Sequence, residues 1–240
     1  MKSFTSEDGP FGPSTDSGLV AAHRKTFMSR ISESTVRRLS HYYRVLEEVA
    51  AEGKRMISSH LLAEREGITS AQVRKDLSYF GSFGRRGLGY NVEHLRTEIR
   101  GILGLDRRWR VALVGAGHIG SALLAYRGFA DQGFDIVAVY DADPARIGTT
   151  VDGLVVQPIS ALSSAEAFDV GVIATPIRAA QEVADALVAA GARGILNFAP
   201  RKLRIPPDLT LRTVDMTMEF ESLSFALSKP DGPRRRRGRE

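Results

Sequence analysis

The 240 residues include no cysteine. Disulfides, thiolate catalysis, cysteine-ligated zinc and iron–sulfur clusters are thereby excluded. A disulfide-stapled secreted scaffold goes with them, which makes the cytoplasm the default compartment. Long apolar runs are also missing: nothing approaches the roughly 18 residues of a membrane span. Residues 1–29 are polar and rich in Gly, Ser and Pro, with no apolar stretch of the signal-peptide kind. Histidine is scarce, five in all and none beyond His118. What is present is ordinary for a globular protein, 43% apolar and 25% charged. The length allows one large domain or two modest ones.

Charge is unevenly placed. Residues 30–90 carry eleven basic and seven acidic groups, whereas residues 106–228 carry eleven and fourteen. A basic first third beside an acidic body suggests two domains with different partners, the basic one being the candidate for a polyanion. Residues 1–29, with Pro10 and Pro13, and residues 229–240, with Arg234–Arg237, are expected to be disordered. The arginine tail reads as a solubilising segment, or as a source of nonspecific attraction to phosphate.

Between the ends the grammar changes once. Val36, Leu39, Tyr43, Leu46 and Val49 have helical spacing, stopped at Gly53. A short helix starts near Ser58 or Ser59 and ends at Gly67. A third opens at Thr69, with Gln72 placed for a capping box and Ile68 and Val73 for a hydrophobic staple. Its buried stripe is Val73, Leu77 and Phe80. A glycine-rich hairpin, residues 81–90, then carries Arg85 and Arg86, and a fourth helix runs from Val92 to about Leu103. From Arg110 strands alternate with helices: strands at 111–114, 135–140, 154–157, 169–175, 194–198 and 210–215, helices at 119–130 and 177–190, and a last helix near 217–228. The expected fold is α/β: a winged-helix domain over 30–105, a doubly wound Rossmann domain over 106–216, and a terminal helix over 217–228.

Gly115-Ala116-Gly117-His118-Ile119-Gly120 matches G-x-G-x-x-G between a predicted strand and a predicted helix. Gly115 permits the tight turn, Gly117 the approach of amides to a pyrophosphate, and Gly120 close packing of helix on sheet. Asp141 ends the second strand, where a carboxylate accepts ribose hydroxyls and repels a 2′-phosphate. NAD and NADH are favoured over their phosphorylated forms, although Arg146 nearby weakens the argument. His118 occupies a variable position of the turn and reads as solvent-facing or phosphate-adjacent. No catalytic residue and no metal site is expected. Only 25 residues follow Asp215, too few for a substrate domain.

The short helix, tight turn and following helix have the layout of a helix-turn-helix. Arg74 and Lys75 are placed to reach guanine edges, and Ser78 and Tyr79 to hold phosphates. Arg85 and Arg86 would sit at the wing tip near a minor groove. Lys54, Arg55, Ser58 and Ser59 lie where a backbone clamp is expected. The plainer alternative is a solvated helix face in a protein–protein module.

The stretch Gln72–Gly81, the wing, the glycine turn, Asn197-Phe198-Ala199-Pro200 and Val214-Asp215 together resemble the Rex family of redox-sensing transcriptional repressors. The resemblance covers residues 30–228. It implies a homodimer on double-stranded operator DNA, with the C-terminal helix swapped onto the partner, that is released when NADH replaces NAD. It further implies that Thr175, Pro176 and the Asn197–Pro200 loop line the nicotinamide end, with Asp215 beside them, and that Arg44, Tyr126 and Asp215 form the switch. From the residues alone, Asp215 reads equally as a cap of the following helix and Tyr126 as a core aromatic. Two rivals remain at this level: a small NAD-dependent oxidoreductase and a coenzyme-A-binding module.

Overall fold

The computed structural model of the protein describes residues 31–85 and 87–228. The terminal segments expected to be disordered, and Arg86, lie outside them. The chain divides between Asp106 and Arg107 into two compact units. No helix among the described residues is long and apolar enough to cross a membrane.

The first unit begins with α1 (Glu33–Ala51), whose N-cap Ser32 accepts a hydrogen bond from the Thr35 amide. Its inward row is Leu39, Tyr42, Tyr43, Leu46 and Val49; in the first turn the neighbouring Thr35 takes the buried position, and Val36, expected there, is exposed. After β1 (Met56–Ile57) come α2 (Ser59–Arg65), capped by Ser58, and α3 (Ser70–Ser78), capped by Thr69. Next are β2 (Gly84–Arg85), β3 (Gly89–Asn91) and α4 (Val92–Ile102), capped by Asn91. The strands form an antiparallel sheet in the order β1-β3-β2, with Met56 opposite Asn91 and Gly84 opposite Tyr90. The hairpin is therefore a wing. Gly89 has φ +83°, and a Cβ there would strike the Ile57 carbonyl. Leu39, Tyr42, Leu46, Leu62, Val73, Leu95 and Ile99 enclose the core, each large side chain contributing about 1.5–3 kcal/mol.

One core position is not apolar. Asp76 on α3 is wholly buried. Its Oδ2 accepts from Arg38 Nε at 2.6 Å and from the Tyr42 hydroxyl at 2.8 Å. Its Oδ1 accepts from Arg38 Nη2 and from Gln72 Nε2, both at 2.8 Å. Burial raises the Asp76 pKa, but the hydrogen bonds from Arg38, Tyr42 and Gln72 outweigh it and hold the carboxyl below its ordinary value. The Tyr42 hydroxyl is pushed up by burial and by this carboxylate, so it remains a donor. Only half of the capping box exists. Thr69 Oγ1 accepts from the Gln72 amide at 3.2 Å, but the Gln72 side chain turns to Asp76 instead of back to the helix start.

The second unit is a seven-stranded sheet. Its strands are β4 (Trp109–Val114), β5 (Phe134–Asp141), β6 (Thr150–Val151), β7 (Leu154–Pro158), β8 (Val170–Ile173), β9 (Gly194–Asn197) and β10 (Thr210–Thr213). The order is β10-β9-β8-β4-β5-β7-β6, parallel except for the β6–β7 hairpin. Without β6 this is the doubly wound arrangement that reverses between β4 and β8. The helices are α5 (His118–Ala125), α6 (Gly128–Asp131), α7 (Ala180–Ala189) and α8 (Met216–Ser228), with a 3-10 turn at Ile159–Ser164.

One sheet face, with Ala112, Val114, Ile173 and Ile195, is covered by Val183 and Leu187 of α7 and by Leu162. The other, with Val111, Leu113 and Val172, has Leu123 and Leu124 of α5 packed against it and is covered only in part. An apolar groove of about 340 Å³ lies along that face, lined by Leu113, Ile136, Val172, Leu196, Phe198 and others. α8 buries none of its residues.

Several expected elements change length. The helix expected over 119–130 is two, because the chain leaves helical geometry at Tyr126, at φ −82° and ψ 99°. The helix expected from Ile177 starts at Ala180 after a turn following Pro176, with the Ala179 amide bonded to the Pro176 carbonyl. The last strand stops at Thr213. Trp109, the one tryptophan of the chain, opens β4 with the Arg107 guanidinium 3.4 Å from its ring centroid and that of Arg193 at 6.0 Å.

Candidate cofactor and nucleic-acid sites

The glycine turn follows β4 at the point where strand order reverses, the crevice in which open α/β sheets bind ligands. Gly115 has φ +104°, and a Cβ on it would lie 2.5 Å from the Ala174 carbonyl oxygen after β8. The turn is thus wedged between the two halves of the sheet. Gly117 is the N-cap of α5, with no side chain to bond the first amides. A Cβ at Gly120 would overlap the Gly115 carbonyl oxygen. Gly115 and Gly120 stand where side chains would clash with backbone, Gly117 faces the Arg146 guanidinium at 3.0 Å from where its Cβ would be, and the amides opening α5 are available to an anion.

Asp141 has a second duty. Its Oδ2 accepts from the Ala116 amide at 2.7 Å and its Oδ1 from the Asp143 amide at 2.9 Å. It braces the turn, and a carboxylate's roughly four lone-pair sites still leave capacity for ribose hydroxyls. Arg146 lies 3.5 Å from Asp141 and 3.4 Å from Asp143, so two carboxylates already compensate the charge that argued for a 2′-phosphate. His118 and Ile119 are exposed in the first turn of α5.

Beside Gly115, whose Cβ would lie 3.1 Å from the Thr175 methyl, Thr175 Oγ1 is buried without a hydrogen-bond partner among the described residues. A buried hydroxyl without a partner costs about 1–3 kcal/mol, a deficit that a polar ligand group removes. Pro176 beside it is exposed. Asn197 is wholly buried and spends its side chain on its own loop: Nδ2 donates to the Ala199 and Arg201 carbonyls, and Oδ1 accepts from the Ala199 amide. It shapes the Phe198–Pro200 segment, of which Ala199 is buried and Pro200 exposed. The glycine cradle, the free helix start and the unpartnered Thr175 hydroxyl all fit a dinucleotide.

In the first unit, Arg74, Lys75, Ser78 and Tyr79 share the exposed side of α3, and Arg85 is exposed on the wing. Arg74 Nη1 rests 3.0 Å from Ser59 Oγ. Ser78 bonds to the Lys75 carbonyl within the helix. Ser58 is occupied as the α2 cap. Lys54 pairs with Glu52 at 2.7 Å, and with Arg65 it holds the Glu52 carboxyl at about 2. Arg55 is exposed. Sequence reasoning missed Asp76, whose one signal is its place between Val73 and Leu77 in the inward row.

Of the expected switch residues, Arg44 is exposed on α1, and Tyr126 is exposed at the end of α5, stacked edge-on against Phe129 at 4.9 Å. Tyr126 is therefore neither on a helix nor in the core, because the chain turns at that residue. Asp215 lies beyond the last strand and its Oδ1 accepts from the Thr217 amide at 2.9 Å, the capping role that was its plainer reading.

Because the Gly115 carbonyl leaves no room at position 120, Gly120→Ala is expected to weaken NADH binding at least about tenfold, about 1.4 kcal/mol. Fluorescence titration measures this; wild-type affinity would show that the turn does not hold the dinucleotide.

Comparison with known proteins agrees with this division. Residues 30–78 match the family described as "Putative DNA-binding protein N-terminus", and residues 106–201 the one described as "CoA binding domain". The redox-sensing transcriptional repressor Rex of Syntrophomonas wolfei is 48% identical over 83% of this chain and 96% of its own. That of Streptomyces griseus is 46% identical over 85% and 82%. Among solved structures, RSP, a Rex-family repressor, in complex with NAD+ and operator DNA superposes with a TM-score of 0.79 at 36% identity, covering 82% of this chain and 92% of that one. Its complex with NADH gives a TM-score of 0.75 at 34% identity over 82% and 94%. With such identities over most of both chains, this protein belongs to the Rex family of redox-sensing transcriptional repressors.

Proposed function

We propose that this chain represses transcription as a homodimer bound to double-stranded operator DNA, and that release follows the exchange of NAD for NADH. The observation that carries the reading is the joining, in one chain, of a recognition helix and wing to a glycine turn at the reversal of a doubly wound sheet. The solved relative in complex with NAD+ and operator DNA, and its complex with NADH, support it. A repressor acts where the DNA lies, so we place the protein in the cytoplasm.

NAD presents a positively charged ring and NADH a neutral one, and this charge difference is what the ligand supplies. A ligand shifts a two-state equilibrium only by its differential affinity for the states. Moving 1:99 to 99:1 requires about 5.5 kcal/mol, which two subunits share. Gly115, Gly117, Gly120 and Asp141 would hold the dinucleotide, with Thr175, Pro176 and the Asn197–Pro200 loop at the nicotinamide end. Asp215 would exchange partners between Arg44 and Tyr126 as the ring charge changes. A charge-assisted hydrogen bond contributes about 1.5–3 kcal/mol. The Asp215 bond to Thr217 ties any such exchange to the start of α8.

The partly covered sheet face and the exposed Met218, Phe220, Leu223 and Leu227 of α8 support a dimer in which each α8 packs onto the partner.

Arg74→Ala should weaken binding to a selected duplex by about 1–3 kcal/mol and relax one base preference; unchanged affinity in a gel shift contradicts the recognition-helix assignment. Titrating that complex separately with NADH and NAD should release it with NADH alone, and Asp215→Ala should blunt the release while NADH still binds. Equal release by both nucleotides would overturn the redox reading. Truncation after Thr217 should give monomers or aggregates in light scattering, and a stable dimer would show α8 to be dispensable.

A further inference from the structure

α3 is short for the task assigned to it. It has nine residues and only two buried apolar side chains, Val73 and Leu77. Two such contacts hold a helix against a core but restrain its rotation and sliding weakly, since apolar contact is non-directional. A rotation of about 20° carries an atom about 5–6 Å from a helix axis through about 2 Å. That is the difference between reaching a base edge and missing it, while a phosphate contact tolerates the shift.

The third buried residue of α3 supplies direction. Asp76 accepts four hydrogen bonds, two on each oxygen, from Arg38 and Tyr42 of α1 and Gln72 of α3 itself. The Arg38 guanidinium is also bonded to Thr35, whose hydroxyl meets the Ser32 cap, so the pair is anchored to the first turn of α1. An apolar pair of similar volume would often be as stable or more so. Stability therefore does not account for a buried charge here, whereas bidentate geometry that fixes one helix against another does. Gln72 gives up half of a capping box to the same carboxylate.

We infer that Arg38, Tyr42 and Asp76 form a clamp that sets the angle at which α3 presents Arg74 and Lys75, and so determine which base pairs the protein prefers. Asp76 and Arg38 are positioning residues: they act through α3, and the recognised chemistry is the major-groove edge of duplex DNA. The inference rests on the DNA-binding reading above.

The test compares the full chain with the double variant Arg38→Met/Asp76→Leu and with Arg38→Lys, which keeps the charge but loses the fork. The probes are a duplex selected by the wild-type protein from a randomised pool and a random duplex of equal length, both with NAD present. The double variant is expected to keep its circular dichroism, its NADH affinity and its affinity for random DNA. Its preference for the selected duplex should fall at least about tenfold, the loss typical of a misread base pair, and Arg38→Lys should fall between it and wild type. Reselection with the double variant should return altered base preferences. A folded double variant with wild-type preference overturns the clamp. If that variant does not fold, an unchanged preference in Arg38→Lys overturns it equally. Absence of any preference in the wild-type protein overturns the DNA-binding reading itself.

Discussion

The glycine turn of the second unit depends on one close approach. α5 begins so near the end of β4 that the Gly115 carbonyl occupies the space where a side chain at position 120 would stand. Only glycine permits it. With that contact made, the first amides of α5 point out of the turn with no internal partner, and their partial positive charge is concentrated at one spot. Gly115 is held as closely against Ala174, so the same turn is fixed to both halves of the sheet. The binding crevice is therefore less a hollow between walls than a place where backbone from three directions is too crowded to carry side chains.

What was legible in the sequence follows the range of the interactions involved. The caps Ser58 and Thr69 are local, and α2 and α3 open where they sit. The glycine turn and Asp141 are also read locally, through spacing and the switch from strand to helix. β1 has two residues and no pattern of its own; it exists because Met56 and Ile57 pair with Asn91 and Tyr90, more than thirty positions away. The break at Tyr126 carries no proline, only Gly128 two residues on. Asp76 was illegible for a different reason. A charged residue on a helix reads as solvated unless its partner is known, and Arg38 lies 38 positions upstream.

The two units solve the problem of burial in different ways. The first closes its core within its own chain and includes one charge in it, satisfied on every side. The second leaves one face of its sheet partly bare and ends in a helix whose apolar residues face outward. These deficits are of the same kind and of opposite shape, a groove and a ridge. Each costs little while the other is available to fill it, and in isolation each is an adhesive surface.

Trp109 gives the chain an optical property. It is the one indole in the sequence, and it sits at the opposite end of β4 from the glycine turn, across six residues or about 20 Å of strand. Reduced nicotinamide absorbs light at the wavelengths where indole emits, and oxidised nicotinamide does not. A dinucleotide held at the turn would therefore quench the emission of this single side chain in its reduced form and not in its oxidised form.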